Sequence, residues 1–314
     1  MKLAFILDPL EGLKAYKDSS VAMMRCAARR GHQIWAIQRT ALTWREGVVA
    51  ARAQRLEVGA DDTAWFEVAE ESVLPLTAWD AVLMRQDPPF DFEYVAATWL
   101  LERAESQGAR IWNKPRSIRD HSEKVAITEF PQFTPTTLIA RDPADIHAFI
   151  DELGDAILKP LDGMGGSQVF RVRRDDPNRN VIVETLTAHG ARSIMAQRYL
   201  PEIVRGDKRI LLIGGAVAPF ALARIPKAGE TRGNLAAGGS GVAQPLTARD
   251  REIAEHLAPI LYARGILLAG IDVIGDCLTE INVTSPTCFV EITEQTGFNV
   301  AAMFLDALER ACGG

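Results

Sequence analysis

A glycine-rich segment, KPLDGMGGSQVF at residues 159–170, is the first candidate for chemistry. Glycines let backbone amides approach an anion closely, because no Cβ intervenes and positive φ angles cost little. The segment is not a dinucleotide fingerprint, since Gln168 stands where G-x-G-x-x-G requires its last glycine. A phosphate-binding loop and a plain hairpin turn both fit the glycines. Lys159 favours the phosphate loop, because it ends an apolar strand where a buried ammonium needs an anionic partner.

A second cluster combines carboxylates and an amide on two predicted strands near the C-terminus. Glu280 and Asn282 are two residues apart, so their side chains point to one face of a strand. Asp272 reaches that face if a three-residue loop at 275–277 joins the strands, whereas a two-residue turn at 275–276 directs Asp272 away. Two carboxylates and an amide oxygen suit Mg²⁺ that is shared with phosphates. The sequence predicts a metal site here, with a solvated strand face as the alternative.

The third feature is a polar segment at residues 224–241, RIPKAGETRGNLAAGGSG, which has no apolar periodicity. Its arginines, Arg224 and Arg232, offer forked donors for phosphate or carboxylate oxygens. Such a segment can close over phosphates and exclude water. We predict a mobile lid at 226–241, with a disordered surface insert as the alternative.

Composition limits the class of protein. The chain has 314 residues, and its 35 Lys+Arg against 41 Asp+Glu give a net charge of −6, which argues against a nucleic-acid partner. No apolar run reaches the ~18 residues of a membrane span, and the first apolar run is too short for a signal peptide. We therefore expect a cytoplasmic protein with no membrane partner. The scattered cysteines and histidines predict reduced thiols and no zinc site.

Strands and helices alternate over the first 120 residues. Short apolar runs predict strands at 3–7, 33–37, 81–84 and 111–112. Helices are predicted at 21–30, capped by Ser19 or Ser20, and at 91–107. Strands separated by helices form a parallel sheet, which binds ligands at the carboxyl ends of its strands. Asp8 and the segments 18–20 and 85–87 lie at or face such ends.

The pattern changes to α+β after residue 114. Strands are predicted at 136–140, 156–160, 163–172, 194–200, 209–213, 217–224, 267–274 and 278–283. Helices are predicted at 122–130, 143–153, 180–189, 247–264 and 297–312. The fold class is therefore α/β followed by α+β. We divide the chain into an N-terminal α/β domain at 1–121, a central domain at 122–200 and a C-terminal domain at 201–314.

Several segments, taken in order, resemble the ATP-grasp superfamily and more closely the bacterial glutathione synthetases. They are KDSS at 17–20, MRQDPPFD at 84–91, NKP at 113–115, KPLDGMGG at 159–166, ARIPKAGETRGNLAAGG at 223–239 and LTEINVTSPTC at 278–288. The resemblance implies an ATP-grasp fold behind an N-terminal parallel α/β domain. It also implies ligation of γ-glutamylcysteine to glycine with ATP and Mg²⁺ or Mn²⁺, in a homotetramer.

The same resemblance implies roles for individual residues. It implies that the ATP phosphates are bound by Lys124, Lys159, Gly165 and Gly166, the adenine by Gln197, Tyr199 and Leu200, and the ribose by Asp207. It implies that the metal is bound by Asp272, Glu280 and Asn282. The residues around the reacting carboxylate and glycine are Arg209, Arg224, Arg232, Ser285 and Thr287. The residues that bind the dipeptide are Asp18, Ser19, Ser20, Arg85 and Asp87.

Three other functions compete with this interpretation. Another ATP-grasp ligase, such as a D-alanine ligase or an enzyme that adds glutamate to a protein tail, would lack the MRQDPPF and RGNLAAGG stretches. A non-catalytic ATP-binding regulator of synapsin type is disfavoured by the intact metal ligands and the arginine-bearing lid. A dehydrogenase is disfavoured by the missing last glycine and by the absence of an acidic ribose reader beyond the loop.

Overall fold

The structure is a computed structural model that describes residues 1–163, 165–227, 229–230, 233, 235 and 238–313. The strands in these ranges form three sheets, with six, four and five strands. No helix among the described residues combines the length and the apolar character needed to cross a membrane. None of the four cysteines forms a disulfide, as predicted.

The first sheet is mixed. Its strands are β1 (Lys2–Leu7), β2 (Gln33–Arg45), β3 (Val48–Val58), β4 (Phe66–Pro75), β5 (Ala81–Met84) and β6 (Ile111–Trp112). Their spatial order is β4-β3-β2-β1-β5-β6. The part β2-β1-β5-β6 is parallel, as predicted. The sequence pattern predicts neither β3 nor β4, which add antiparallel to β2 after a turn where Glu46 and Gly47 both have positive φ.

Helices cover both faces of the first sheet. They are α1 (Ser19–Arg29) on one face, α2 (Phe92–Ser106) on the other, and the short α3 (Pro115–Asp120) beside α2. The predicted cap at Ser19 or Ser20 is wrong, because Asp18 caps α1 by accepting from the Ser20 and Val21 amides at 2.7 and 2.9 Å. The two serine hydroxyls are therefore left for contacts outside the helix.

The second sheet is antiparallel. Its strands are β7 (Thr137–Ala140), β8 (Asp155–Pro160), β9 (Phe170–Arg173) and β10 (Ile194–Arg198), in the order β7-β10-β8-β9. The helices α4 (Pro143–Leu153) and α5 (Arg179–Thr187) share a core with one face of this sheet. Alternate residues of β8 and β10, such as Lys159 and Gln197, point to the opposite face.

The third sheet has helices on both faces, and those on one face also contact a helix of the first sheet. Its strands are β11 (Asp207–Ile213), β12 (Ala216–Ile225), β13 (Ser240–Pro245), β14 (Leu268–Ile274) and β15 (Cys277–Asn282), in the antiparallel order β13-β12-β11-β14-β15. One face packs on α6 (Ala248–Ala263). The other packs on α7 (Phe289–Thr296) and α8 (Val300–Gly313), which also contact α1. The sequence pattern predicts α8 but not α7.

The β14–β15 hairpin decides whether the predicted metal ligands share a face. Its turn is the two-residue pair Gly275 and Asp276, the alternative that by itself would direct Asp272 to the other face. However, a β-bulge at Thr279 adds one residue to β15 and shifts the register. Asp272 therefore pairs with Glu280, as the metal-site prediction requires.

Candidate active site

Two cavities meet at Glu280. The first, about 120 Å³, lies between the second and third sheets and is lined by residues that include Lys124, Lys159, Tyr199 and Asp207. The second, about 590 Å³, lies between the third sheet and the loops at the carboxyl ends of β1 and β5. Glu280 and the glycines Gly163 and Gly165 line both cavities. A ligand in one cavity would therefore approach a ligand in the other at this carboxylate.

Two buried lysines face the first cavity. The Lys124 ammonium lies 2.8 Å from Glu280 Oε1 and donates to the Gly163 carbonyl at 2.6 Å. The Lys159 ammonium donates to the carbonyl of the bulge residue Thr279 at 3.3 Å. Burial lowers the pKa of Lys159, whereas Glu280 raises the pKa of Lys124 against the effect of its burial. The pair supplies positive charge where a phosphate chain would lie.

The end of β10 forms the far wall of the first cavity. Gln197, Tyr199 and Leu200 line it, as does Asp207 at the start of β11. The Gln197 amide nitrogen donates to the Thr137 hydroxyl at 3.1 Å. Burial raises the pKa of Asp207 to about 6, and its Oδ1 is buried without a partner in the described part of the chain. This oxygen lacks the hydrogen bond that a buried carboxylate oxygen normally makes.

Asp207, Arg209, Arg224 and Asp272 form a buried ionic cluster on one face of the third sheet. Asp272 accepts from Arg209 at 2.5 and 3.1 Å and from Arg224 at 2.8 Å. Arg224 also donates to Asp207. Burial opposes ionisation of Asp272, but the two guanidinium groups hold its pKa well below its usual value. The cluster keeps two arginines fixed at the floor of the second cavity, which both of them line.

The predicted metal ligands come together on the β14–β15 hairpin but differ in their exposure to the cavities. Glu280 lines both cavities and Asn282 lines the second, whereas Asp272 is 2% exposed and lines neither. The Asn282 nitrogen donates to the Gly270 carbonyl at 3.1 Å, so its amide is held by its own hairpin. No cluster of three His, Cys, Asp or Glu side chains among the described residues would hold a metal. Two carboxylates and an amide remain a hard-oxygen donor set that fits Mg²⁺.

Glycines bring backbone close to both cavities. Gly165 and Gly166 have φ angles of 63° and 79°, which favour glycine over other residues. Gly233, in the predicted lid, lines the first cavity, and a Cβ there would clash with the Arg224 carbonyl. The glycine loop and two described residues of the predicted lid, Gly233 and Leu235, thus face the cavities. The predicted site residue Arg232 lies outside the described residues.

Only Asp18 and Asp87 of the predicted dipeptide residues line the second cavity, and Arg85 and Ser20 lie behind its lining. Arg85 is 6% exposed and donates to the Ser20 hydroxyl at 3.1 Å and to the Pro286 carbonyl at 3.0 Å. Its Nη1 is buried with no partner in the described ranges, and burial lowers the pKa of its guanidinium. The Ser285 hydroxyl donates to Asp87. Ser285, Pro286 and Thr287 line the cavity, so Arg85 approaches it through the Pro286 carbonyl.

Ser19 has a structural contact rather than a place in the cavity lining, because its hydroxyl accepts from the Phe289 amide at 3.2 Å. That contact ties the start of α1 to the start of α7.

The sequence analysis missed Glu123, which lines the second cavity. This half-buried residue accepts through its carboxylate from the Val283 amide at 2.9 Å, from the Thr284 amide at 3.1 Å and from the Thr284 hydroxyl at 2.8 Å. Burial and Glu280 raise its pKa. Glu123 thereby fixes the backbone that follows Asn282. Its position directly before Lys124 was the available signal, but three backbone and hydroxyl donors 160 residues away cannot be found by spacing.

Comparison with known proteins identifies the family. The family models for the prokaryotic glutathione synthetase N-terminal domain and ATP-grasp domain match residues 1–119 and 123–297. The chain belongs to the prokaryotic glutathione synthetase family. A glutathione synthetase of Ralstonia nicotianae is 59% identical over 313 residues, which are 100% of this chain and 97% of that protein. One of Nitrosomonas europaea is also 59% identical, over 99% of this chain and 98% of that protein.

Solved structures confirm the predicted fold. The ATP-grasp ligase PsnB with a minimal precursor has a TM-score of 0.66 at 17% identity, covering 100% of this chain and 99% of that one. The D-cycloserine synthetase DcsG has a TM-score of 0.66 at 15% identity, covering 99% and 100%. This member of the prokaryotic glutathione synthetase family is an ATP-grasp protein and an ATP-dependent carboxylate–amine ligase. PsnB has also been solved with Mg and ADP.

Proposed function

We propose that the protein joins γ-glutamylcysteine to glycine, with ATP and a divalent cation, and releases glutathione, ADP and phosphate. The meeting of two cavities at Glu280 carries this proposal. One cavity is lined by two buried ammonium groups and by Asp207, whose Oδ1 has no partner among the described residues. Beside the other, Arg85 bonds to the carbonyl of the lining residue Pro286 and keeps one guanidinium donor without a partner in the described ranges. The first set suits a nucleotide triphosphate and the second suits an anionic acceptor.

ATP is placed in the first cavity. Lys124, Lys159 and the amides of Gly165 and Gly166 would hold the phosphates, because ammonium groups and glycine amides are the donors a polyphosphate needs. The adenine would lie against Gln197, Tyr199 and Leu200. The buried Asp207 Oδ1 would accept from a ribose hydroxyl, which would supply the partner it lacks.

The cation would be held by Glu280 and Asn282, with Asp272 completing the set. Mg²⁺ would neutralise charge on the phosphate oxygens, and Mn²⁺ would suit the same oxygen ligands. For Glu280 to bind it, the Lys124 ammonium must leave the carboxylate, and a phosphate chain offers Lys124 a second anion. For Asp272 to bind the cation, Arg209 and Arg224 would similarly have to move some of their N–H donors from Asp272 to the substrate.

γ-Glutamylcysteine is placed in the second cavity with its cysteinyl carboxylate towards Glu280. Arg85, Asp87 and Ser285, together with Asp18, Ser20 and Thr287, would orient the dipeptide. Ser19 would act indirectly. Its bond to the Phe289 amide would hold the start of α1, where Ser20 accepts from Arg85. The orphan Arg85 Nη1 would gain a carboxylate oxygen, which compensates a donor that is otherwise buried without a partner.

The chemistry needs two steps, because attack of an amine on an ionised carboxylate would expel oxide. First, a carboxylate oxygen of γ-glutamylcysteine attacks the γ-phosphorus of ATP in line, and the bond to the ADP oxygen breaks. Second, the free amine of glycine attacks the acyl phosphate, loses a proton, and phosphate leaves. Arg209, Arg224 and Arg232 would balance the charge that develops on the oxygens of the reacting carboxyl and phosphoryl groups.

The acyl phosphate must be protected from water. We assign this task to residues 226–241 as a lid, since Gly233 lines the first cavity and Leu235 the second. We keep the division into domains at 1–121, 122–200 and 201–314, the homotetrameric assembly and the cytoplasmic location as parts of the same proposal.

Phosphate release tests the proposed function. With ATP and Mg²⁺, release should require γ-glutamylcysteine and glycine together, and should be matched one for one by tripeptide. ATP with either acceptor alone is the control. Release that needs neither acceptor, or that is equally fast with D-alanine or with a glutamate-accepting peptide, would assign the protein to another branch of the ATP-grasp ligases.

A further inference from the structure

We propose that Arg171 is a positioning residue for the nucleotide base, acting through the ring of Tyr199. Arg171 lies on β9 and is not among the residues that line the first cavity, whereas Tyr199 lines it. The inference rests on the proposed placement of ATP in that cavity. It adds to the adenine site a residue that would not touch the base.

The contact between the two side chains is close. The guanidinium carbon of Arg171 lies 3.6 Å from the centroid of the Tyr199 ring. At this distance a guanidinium is attracted to the ring quadrupole and covers one ring face. The ring is half-buried and has the cavity beside it. Arg171 therefore restricts how the ring can turn at the cavity wall.

Asp155, at the start of β8, holds both members of the pair. Its carboxylate accepts from Arg171 Nε at 3.0 and 3.2 Å and from Nη2 at 2.6 Å. Its backbone carbonyl accepts from the Tyr199 amide at 3.2 Å. One residue thus fixes the guanidinium through its side chain and the backbone of the Tyr199 segment through its main chain. The three residues form a clamp that joins β8, β9 and the end of β10.

The clamp requires a guanidinium. The edge of the Arg171 fork binds the carboxylate while its plane lies against the ring, and an ammonium cannot do both in one geometry. The Arg171 and Asp155 side chains are 28% and 31% exposed, so their ion pair adds little to folding stability. The ion pair instead helps to order the Tyr199 ring before a base binds. The ring therefore loses less conformational freedom on binding.

The test compares Arg171→Met and Arg171→Lys with Arg173→Met as the matched control. Arg173 is on the same strand two residues away, is 62% exposed, and approaches Asp155 only to 4.0 Å. Both Arg171 variants should raise the KM for ATP about five-fold, and should raise the Kd of a non-hydrolysable ATP analogue equally. The kcat, the KM for γ-glutamylcysteine and the KM for glycine should stay unchanged. The melting temperature should move by less than about 2 °C.

A double-mutant comparison separates positioning from general support. Tyr199→Leu removes the ring and should bind the analogue more weakly than the wild type. Arg171→Met should add nothing further in the Tyr199→Leu background. The clamp is refuted if Arg171→Met binds the analogue as Arg173→Met does, or if its full effect persists without the ring. If the wild type itself does not bind the analogue, the proposed function fails instead.

Discussion

The buried cationic side chains at the two cavities that share Glu280 differ in whether all their hydrogen-bond donors have partners. In the first, Lys124 and Lys159 already contact carbonyl oxygens of the protein, and Lys124 also contacts Glu280. Beside the second, Arg85 bonds to the carbonyl of the lining residue Pro286 and keeps one buried donor with no partner among the described residues. A ligand of the first cavity must therefore exchange contacts that exist, whereas a ligand of the second completes a contact that is missing. The difference predicts which substitutions affect folding and which affect binding.

Breaking the buried ionic cluster should have the largest effect on the free energy of unfolding. In Asp272→Asn, Arg209 and Arg224 lose a charge partner that is 2% exposed. We expect the free energy of unfolding to fall by about 3–5 kcal/mol, measured by urea denaturation. Asp62→Asn, which removes an exposed partner of Arg25, is the control and should cost under about 1 kcal/mol. A loss that matches this control would show that the cluster is not a folding element.

Removing the charge that both cavities share should affect turnover most. In Glu280→Gln, Lys124 keeps its bond to the Gly163 carbonyl, so the protein should stay folded. The kcat for ligation should fall by roughly 10²–10³-fold, because the charge beside the phosphoryl group is lost. Steady-state phosphate release measures it, with Glu252→Gln on the exposed side of α6 as the control. Unchanged turnover would remove Glu280 from the metal site.

Removing the orphan donor should separate binding from folding. In Arg85→Met, the KM for γ-glutamylcysteine should rise about 10–100-fold, the effect of one lost charge-assisted hydrogen bond. The free energy of unfolding should be unchanged or higher, because a buried charge without a full set of partners is gone. Initial rates and urea denaturation on the same sample measure both. A clear loss of stability with an unchanged KM would contradict the distinction between the two cavities.

His121, which lines neither cavity, also has a buried ring nitrogen without a hydrogen-bond partner among the described residues. This nitrogen is Nε2, and burial lowers the pKa of His121 to about 4 from 6.5. Below pH 6.5 the unfolded state takes up the proton first, so this contribution to stability is lost as the pH falls towards 4. Between pH 7 and pH 5 the wild type should lose about 2 kcal/mol more than His121→Gln. Parallel pH profiles of stability with activity unchanged at pH 7 measure this, and equal slopes would refute it.

Local signals in the sequence predicted most strands and the residue types of the site. The alternation of Glu280 and Asn282 and the position of Lys159 at a strand end follow from the period of a β-strand. The resemblance to a known family supplied the rest of the candidate site. Strands β3 and β4 were missed because their exposed, charged residues hide the apolar alternation.

Other features depend on contacts that spacing cannot show. The bulge at Thr279 reverses the outcome of the two-residue turn, and no residue type marks it in the sequence. Asp18 competes with two serines for the same cap, and only the folded chain shows that Ser20 is needed by Arg85. Gly297, read as the start of the last helix, has a φ of 75° and instead ends α7.

The most direct test of the account is a crystal structure with a non-hydrolysable ATP analogue and Mn²⁺, in which anomalous scattering locates the metal. We predict a Mn²⁺ peak coordinated by Glu280 and Asn282, with an Asp272 oxygen turned towards it. The Lys124 ammonium should lie on a phosphate oxygen instead of on Glu280. A nucleotide bound elsewhere, or a metal that touches none of the three side chains, would contradict the proposed active site.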